Sequence, residues 1–388
     1  MWRRWGLSGL NHLSLFLGLL VVGSLAALVF VLLVPAWQEQ PEVVYQVLLA
    51  LILLTVLSLV GAVAYQSGYF SYSESHFERT NKERERWMGV WHEVLFNRAP
   101  LPTRTADPIA AEALLIIKDT LEPEKSEKAR HIYEMTGLLS RDMHILRTSS
   151  SRLEKVRVLE RWALLCDPQT HPMLYQQCFS KHPDLQRLAL TSLARSMAVS
   201  QVPRKEVART FERLVRDDRF SSGWIEQVLV LLGDRGVLLL QDLLKDEEQS
   251  MQLRALRALT YVRAEECLDE CLTLLNSKNP DLRAASLKVL VSMQQVPSEA
   301  VPEVYALLED PVWFVRAQAA LACKAIKNEQ VTTLLYDALA DEAWWVRHNS
   351  AQALLELGPE GHQTLQLAMH QHPDRYARDM ASQSLQAA

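Results

Sequence analysis

The chain has 388 residues, 49% hydrophobic, 22% charged and 7% aromatic, a balance that excludes a disordered polymer. Its 13 glycines and 16 prolines are too few for an all-β chain or for glycine-rich phosphate loops. Five cysteines do not make a disulfide framework, and a net charge of −5 offers no basic excess to nucleic acid.

The charge is unevenly placed. No charged residue lies between Leu13 and Val34 or between Val43 and Tyr65. Each run matches the roughly 20 residues that carry a helix across a bilayer. Two transmembrane helices are therefore predicted, at about 11–34 and 43–65, in a membrane anchor spanning residues 1–70. Trp2, Trp5, Trp37, Tyr45, Tyr65 and Tyr69 stand at the ends of the runs, where amphipathic rings favour the interface. A cleaved signal peptide is the competing reading of the first run. That run exceeds the usual apolar core of about 7–15 residues, and a second full span follows almost at once. Arg3 and Arg4 precede the first span, Glu39 and Glu42 lie between the two, and Arg79, Lys82, Arg84 and Arg86 follow the second. The positive-inside rule then places both termini in the cytoplasm of a multi-pass inner-membrane protein. Gly23/Ala27 and Ser58/Ala62 permit close helix approach, either within the hairpin or toward a partner.

Residues 71–106 read as a juxtamembrane helix and a proline-containing linker. Glu74 to Arg86 mix both signs of charge, unlike a polybasic lipid switch, and Phe77, Trp87, Trp91, Val94 and Leu95 form one apolar stripe. Pro100 and Pro102 end the periodicity.

Residues 107–388 repeat. Leu282–Leu290, Val315–Cys323, Val346–Leu354 and Ala377–Leu385 share one frame, and Val156–Leu164, Leu185–Leu193 and Met251–Leu259 fit it more loosely. The spacing is close to 31 residues, with one double interval that places a degenerate copy near Trp224–Leu232. A fainter copy falls at Ala129–Leu138. Such a period predicts a stacked solenoid of about eight helix pairs, because one pair cannot bury its apolar stripe alone. Ala319, Ala320, Ala322, Ser350, Ala351 and Ala353 are small enough for close helix packing. Asn279-Pro280 and Asp310-Pro311 place a capping side chain before a proline suited to the first helical position. The fold class is all-α: a transmembrane helical hairpin followed by an α-solenoid.

The segments Asp310-Pro-Val-Trp-Phe-Val-Arg316 and Asp341-Glu-Ala-Trp-Trp-Val-Arg347, each followed by an alanine-rich helix, resemble HEAT repeats. The likeness is to the short bacterial type related to phycobilisome-lyase HEAT-like repeats. It is good over 280–385, looser over 150–260, and does not include the hairpin. Frame position two is Gln186 and Gln252 in two copies, where the family commonly has Arg. Either these copies have diverged or their register is set wrongly. The resemblance implies a macromolecule-binding scaffold without naming its partner.

Catalysis has no visible residues. GxSxG, Walker and GxGxxG motifs are missing, and the repeated His-Glu pairs of HEAT-like di-iron hydroxylases reduce to His92-Glu93, ahead of the repeats. Cys267 and Cys271 share a helix face but lack two further zinc ligands, so buried apolar thiols are the expectation. His171, His182 and His372 each precede a proline and read as turn residues. No catalytic, cofactor or metal site is expected.

What remains is a surface. Trp313 and Trp344 are equivalent, as are Phe314, Trp345 and Tyr376, and Arg316, Arg347 and Arg378 follow two places later. Two readings stand. The family resemblance implies tryptophans packed over the next hairpin and arginines bonded to a neighbouring turn. Alternatively, these eight residues anchor a protein partner, since Trp, Tyr and Arg dominate interface hot spots. The expected function is a non-enzymatic, membrane-anchored cytoplasmic scaffold that positions a protein in a membrane complex, such as a bacterial polysaccharide, secretion or signalling system. The expected contacts are a protein and the lipid bilayer, not nucleic acid. A tethered lyase-like enzyme and an anchored small-ligand sensor are the alternatives.

Overall fold

The computed structural model describes residues 41–102, 107–326 and 328–387, and among them every regular element is helical. The first predicted span, 11–34, lies outside the described residues. The chain divides into two units between Phe96 and Asn97.

In the first unit, α1 (Pro41–Leu95) runs unbroken for 55 residues. The second apolar run and the charged stretch from Glu74 are therefore parts of one helix. Within Leu53–Leu95 lies a window of mean hydropathy 1.4 with none of its residues buried. By length and composition, α1 is the one helix among the described residues suited to crossing a membrane. Leu53, Leu57 and Val60 are all exposed on it.

The second unit opens with α2 (Pro108–Lys118), α3 (Pro123–Met135) and α4 (Leu138–Thr148). Asp107 caps α2 by accepting from the Ile109 amide at 2.8 Å, with Pro108 in the first turn where no amide hydrogen is required. No repeat helix forms over Ala129–Leu138. Gly137 turns left-handed there, at φ +81°, and separates α3 from α4.

The array then continues as α5 (Arg152–Leu165), α6 (His171–Gln177), α7 (Pro183–Val199), α8 (Arg204–Val215), α9 (Ser222–Leu232) and α10 (Val237–Leu244). It is completed by α11 (Gln249–Val262), α12 (Leu268–Leu274), α13 (Pro280–Met293), α14 (Val301–Ala306) and α15 (Trp313–Ala322), then α16 (Glu329–Ala338), α17 (Trp344–Glu356), α18 (Pro359–Gln371) and α19 (Arg375–Ala387). The odd-numbered helices from α5 to α19 form one row, each packed on the next. α9 fills the degenerate position. The even-numbered helices from α6 to α18 lie between them in sequence, and α8, α10 and α12 pack in order as a second row.

Burial follows the repeat frame. Leu193, Leu259, Leu290, Cys323 and Leu354, which end five of the frames, have no exposed surface, whereas Leu164 and Leu385 are half-buried. Ala319, Ala320 and Ala351 are equally buried, so α15 and α17 approach through small side chains. One capping expectation shifts. Asn279 caps α13 through the Asp281 amide at 2.9 Å, with Pro280 at the first helical position. Asp310 instead accepts from the Val312 amide at 2.9 Å in a turn, and α15 begins only at Trp313. Pro311 thus precedes the helix.

Candidate functional site

The turns that enter the odd-numbered helices carry the candidate residues, and a bond across six residues organises them. Arg283, Arg316, Arg347 and Arg378 each donate from Nη1 to the carbonyl six residues earlier: Ser277 at 2.8 Å, Asp310 at 2.8 Å, Asp341 at 2.8 Å and His372 at 2.6 Å. Those carbonyls end the preceding turn and lack a helical partner, so the guanidinium satisfies them. Gln186 donates to Ser180 O at 2.6 Å and Gln252 to Asp246 O at 2.9 Å over the same separation. The register of the two glutamine copies is therefore right, and these copies have diverged while keeping the bond.

Arginine does more than glutamine here. Arg283 grips the Asp310 carboxylate of the next repeat through Nε at 2.7 Å and Nη2 at 2.9 Å. Arg316 grips Asp341 in the same way, at 2.7 and 3.0 Å, and also reaches Glu342 at 3.2 Å. Asp310 and Asp341 in turn accept from the amides of Val312 and Ala343. Each link ties a turn, a helix start and the neighbouring repeat together with charge-assisted bonds.

The eight candidates consequently separate. Arg316 is only 9% exposed and spent on internal bonds, and Arg378 bonds both His372 O and Pro373 O. Phe314 is half-buried and packs against the core of the last repeats. Trp313 and Trp344 keep 46% of their surface in solvent, Trp345 54% and Tyr376 64%. Trp344 stacks on His348 at 4.8 Å and meets Trp345 edge-on at 4.8 Å. His348, four residues beyond Trp344 on the same helix face, escaped the sequence reading, although that spacing alone pairs the two rings. Arg347 lies under Tyr376, 5.2 Å from the ring centroid.

The remaining chemistry is enclosed. All five cysteines are free and buried. Burial pushes the Cys178, Cys267 and Cys323 thiols up to about 12, which leaves them as unreactive thiols at neutral pH. His171 is not a turn residue: it begins α6, is buried, and its Nε2 bonds Ser196 Oγ at 2.8 Å. Burial also holds its imidazole below the ordinary value. The nearby Asp167 carboxylate is committed to the Gln169 amide at 2.8 Å, so the sealed His–Ser pair ties α6 to α7. Among the described residues no group of three or more His, Cys, Asp or Glu side chains is placed to hold a metal.

Residues 237–322 and 292–355 match the family model described as HEAT repeats. The match extends upstream of the clearest repeats in the sequence and stops before the last helix pair. A search of curated proteins returns no match. Among solved structures, an engineered protein is similar at 17% identity and TM-score 0.35, over 73% of this chain and 85% of its own. Kap121p bound to RanGTP is similar at 13% identity and TM-score 0.44, over 71% of this chain and 36% of its own. A computationally designed armadillo repeat protein for modular peptide recognition is similar at 16% identity and TM-score 0.31, over 56% of this chain and 98% of its own. Residues 237–355 of the chain are thus similar to HEAT repeats, within a longer all-α solenoid.

Proposed function

We propose that the protein is a membrane-anchored scaffold whose solenoid recruits a protein partner in the cytoplasm through Trp313, Trp344, Trp345 and Tyr376, with Phe314 and Arg347 beneath them. One observation carries this reading. Equivalent positions of successive repeats expose large aromatic rings, while the arginines at their base hold the turn carbonyls of the chain. Rigid rings on a bonded base lose little conformational freedom on binding, and aromatic anchors of this type dominate hot spots. The reading of Arg316 as a direct anchor is given up here, because its Nε, Nη1 and Nη2 are all bonded within the chain.

The anchor rests on the exposed apolar stretch of α1 and on the two uncharged runs, with the cytoplasmic assignment following from Arg3, Arg4 and the basic residues after Tyr65. A reporter fused to the C-terminus is expected to be active only as a cytoplasmic fusion. Activity of an export-dependent reporter would overturn the orientation.

The partner surface is tested by a photo-crosslinking amino acid at position 345 in intact membranes. A discrete adduct is expected, and it should disappear when Trp344 is also replaced by Ala. Trp344→Ala and Trp345→Ala variants that stay folded are expected to lose at least about tenfold in partner capture. Capture unchanged by both replacements would reject the aromatic rim as the binding face.

A further inference from the structure

Among the described residues, Arg347 lacks the carboxylate that Arg283 and Arg316 hold, although a further repeat follows it. Arg347 makes the first set of bonds, from Nη1 to Asp341 O at 2.8 Å and to Glu342 O at 3.0 Å. Position 372, 31 residues beyond Asp341, is His372. Its Nδ1 accepts from the Asp374 amide at 3.0 Å, the same turn-closing bond that Asp310 and Asp341 make. The imidazole has no second acceptor of the kind an aspartate turns toward the arginine, and its ring lies 4.6 Å from that of Tyr336. The Nε of Arg347 is shielded from solvent and has no hydrogen-bond partner. Beside the two carbonyls, the face of Tyr376 meets the charge.

Nearby carboxylates are committed elsewhere. Asp341 and Glu342 bond Arg316, Asp374 accepts from the Ala377 amide at 2.9 Å, and Asp379 pairs with Arg375 at 3.7 Å. Tyr376 is mostly exposed, so moving its ring aside sacrifices little packing.

We propose that Arg347 is the seat for an Asp or Glu side chain of a bound protein segment. That carboxylate takes the place Asp310 takes on Arg283 and Asp341 on Arg316, while Trp344, Trp345 and Tyr376 clasp apolar residues beside it. The inference rests on the aromatic rim being the partner surface and adds the chemistry of what binds there. The chain supplies its own template, since the same guanidinium geometry is filled by a carboxylate in each of the two preceding repeats.

The test uses the full chain in lipid nanodiscs, presented with a random twelve-residue peptide library displayed on phage. Peptides selected on the wild-type chain are expected to share an Asp or Glu next to aromatic or aliphatic residues. A synthetic peptide of the selected sequence should bind at least about tenfold more weakly when that acid is changed to its amide. Two variants of the protein keep the test decisive. Arg347→Gln retains the six-residue carbonyl bond that Gln186 and Gln252 already make, and should lose the acidic preference while keeping the apolar one. His372→Asp returns the aspartate of the ladder to its position, so it should raise Tm by about 2 °C or more and close the seat to the peptides.

Equal acidic content in peptides from the wild-type, Arg347→Gln and His372→Asp chains would overturn the carboxylate seat while leaving the aromatic rim standing. A His372→Asp chain with unchanged Tm and unchanged peptide binding would do the same. Failure of the wild-type chain to select any peptide would count against both the seat and the rim.

Discussion

Replacement of Asp142 by Ala is expected to destabilise the second unit by about 3–5 kcal/mol, because it strands a buried guanidinium. Asp142 in α4 and Arg161 in α5 have side chains only 3% and 6% exposed. Arg161 donates to both carboxylate oxygens, and its Nε lies 3.1 Å from Oδ2. The Tyr133 hydroxyl of α3 donates to the same Oδ2 at 2.6 Å. Two helices that precede the regular row, α3 and α4, are thus joined to its first helix, α5, through one carboxylate. Chemical denaturation followed by circular dichroism reads the loss. Hydrogen exchange should locate it in residues 123–165 before the distant repeats, since stability in a stacked array is local. A cost below about 1 kcal/mol would show that the cluster is not the clamp described here. Replacing both partners, Asp142→Leu with Arg161→Met, should recover most of the loss, because no uncompensated charge then remains.

The same cluster gives the unit a pH limit. Burial first, and the neighbouring Asp142 charge second, hold the Tyr133 phenol well above its ordinary value of 10.0. A raised folded value means that the native state keeps its proton more tightly than the unfolded chain does. The corresponding stability is fully present below pH 10 and is lost as pH rises above it. Unfolding midpoints should therefore fall on the alkaline side, and Tyr133→Phe should flatten that fall. A Phe variant with the same alkaline slope would assign the effect to another group.

Replacement of Gly361 by Ala is expected to cost about 3 kcal/mol or more, at the upper end of overpacking effects. A Cβ at that position would stand 1.8 Å from Leu354 O, 2.7 Å from its carbonyl carbon and 3.1 Å from its Cα. Those atoms are backbone of α17, so no rotamer change relieves the clash. The approach is this close because α17 and α18 are joined by a tight turn, in which Gly358 adopts φ +80° and Pro359 starts the next helix. Separating the two helices would open the contacts of Leu365 and Ala368 in the last core. It would also disturb the setting of Tyr376 and Arg378, so partner capture should fall together with thermal stability. Gly223→Ala is the control, since a Cβ there meets nothing within 4 Å. That variant should be neutral or slightly stabilising. Equal behaviour of the two alanine variants would remove the close approach as an explanation.

Much of this architecture is legible in the amino-acid order. Copies of Leu-Arg, Val-Arg and Ala-Arg followed by small residues, about 31 apart, announce the row of stacked helices. The degenerate copy at Trp224–Leu232 is placed by arithmetic alone, and α9 occupies it. The substitution of His372 for the aspartate of two earlier repeats is also visible once positions 310, 341 and 372 are aligned. Its consequence is not visible, because nothing in the spacing says that Arg316 reaches into the next repeat. The aromatic set was legible as a set of equivalent positions but not in its split between buried and exposed members. Phe314 and Trp345 share a frame position, yet the first packs on the core and the second projects into solvent.

By itself the sequence determined the helical class, the repeat period, the two uncharged runs and the equivalent positions of the aromatic residues. These are consequences of burial between nearest neighbours along the chain, and such burial writes a period into the order of residues. Tertiary structure alone decided which polar groups are already answered. The Asp142–Arg161–Tyr133 cluster, the approach of Gly361 to Leu354 and the unpaired Nε of Arg347 each depend on how one turn or helix settles against another. A hydrogen bond is made or missed within a few tenths of an ångström, a scale fixed by packing and not by spacing in the chain.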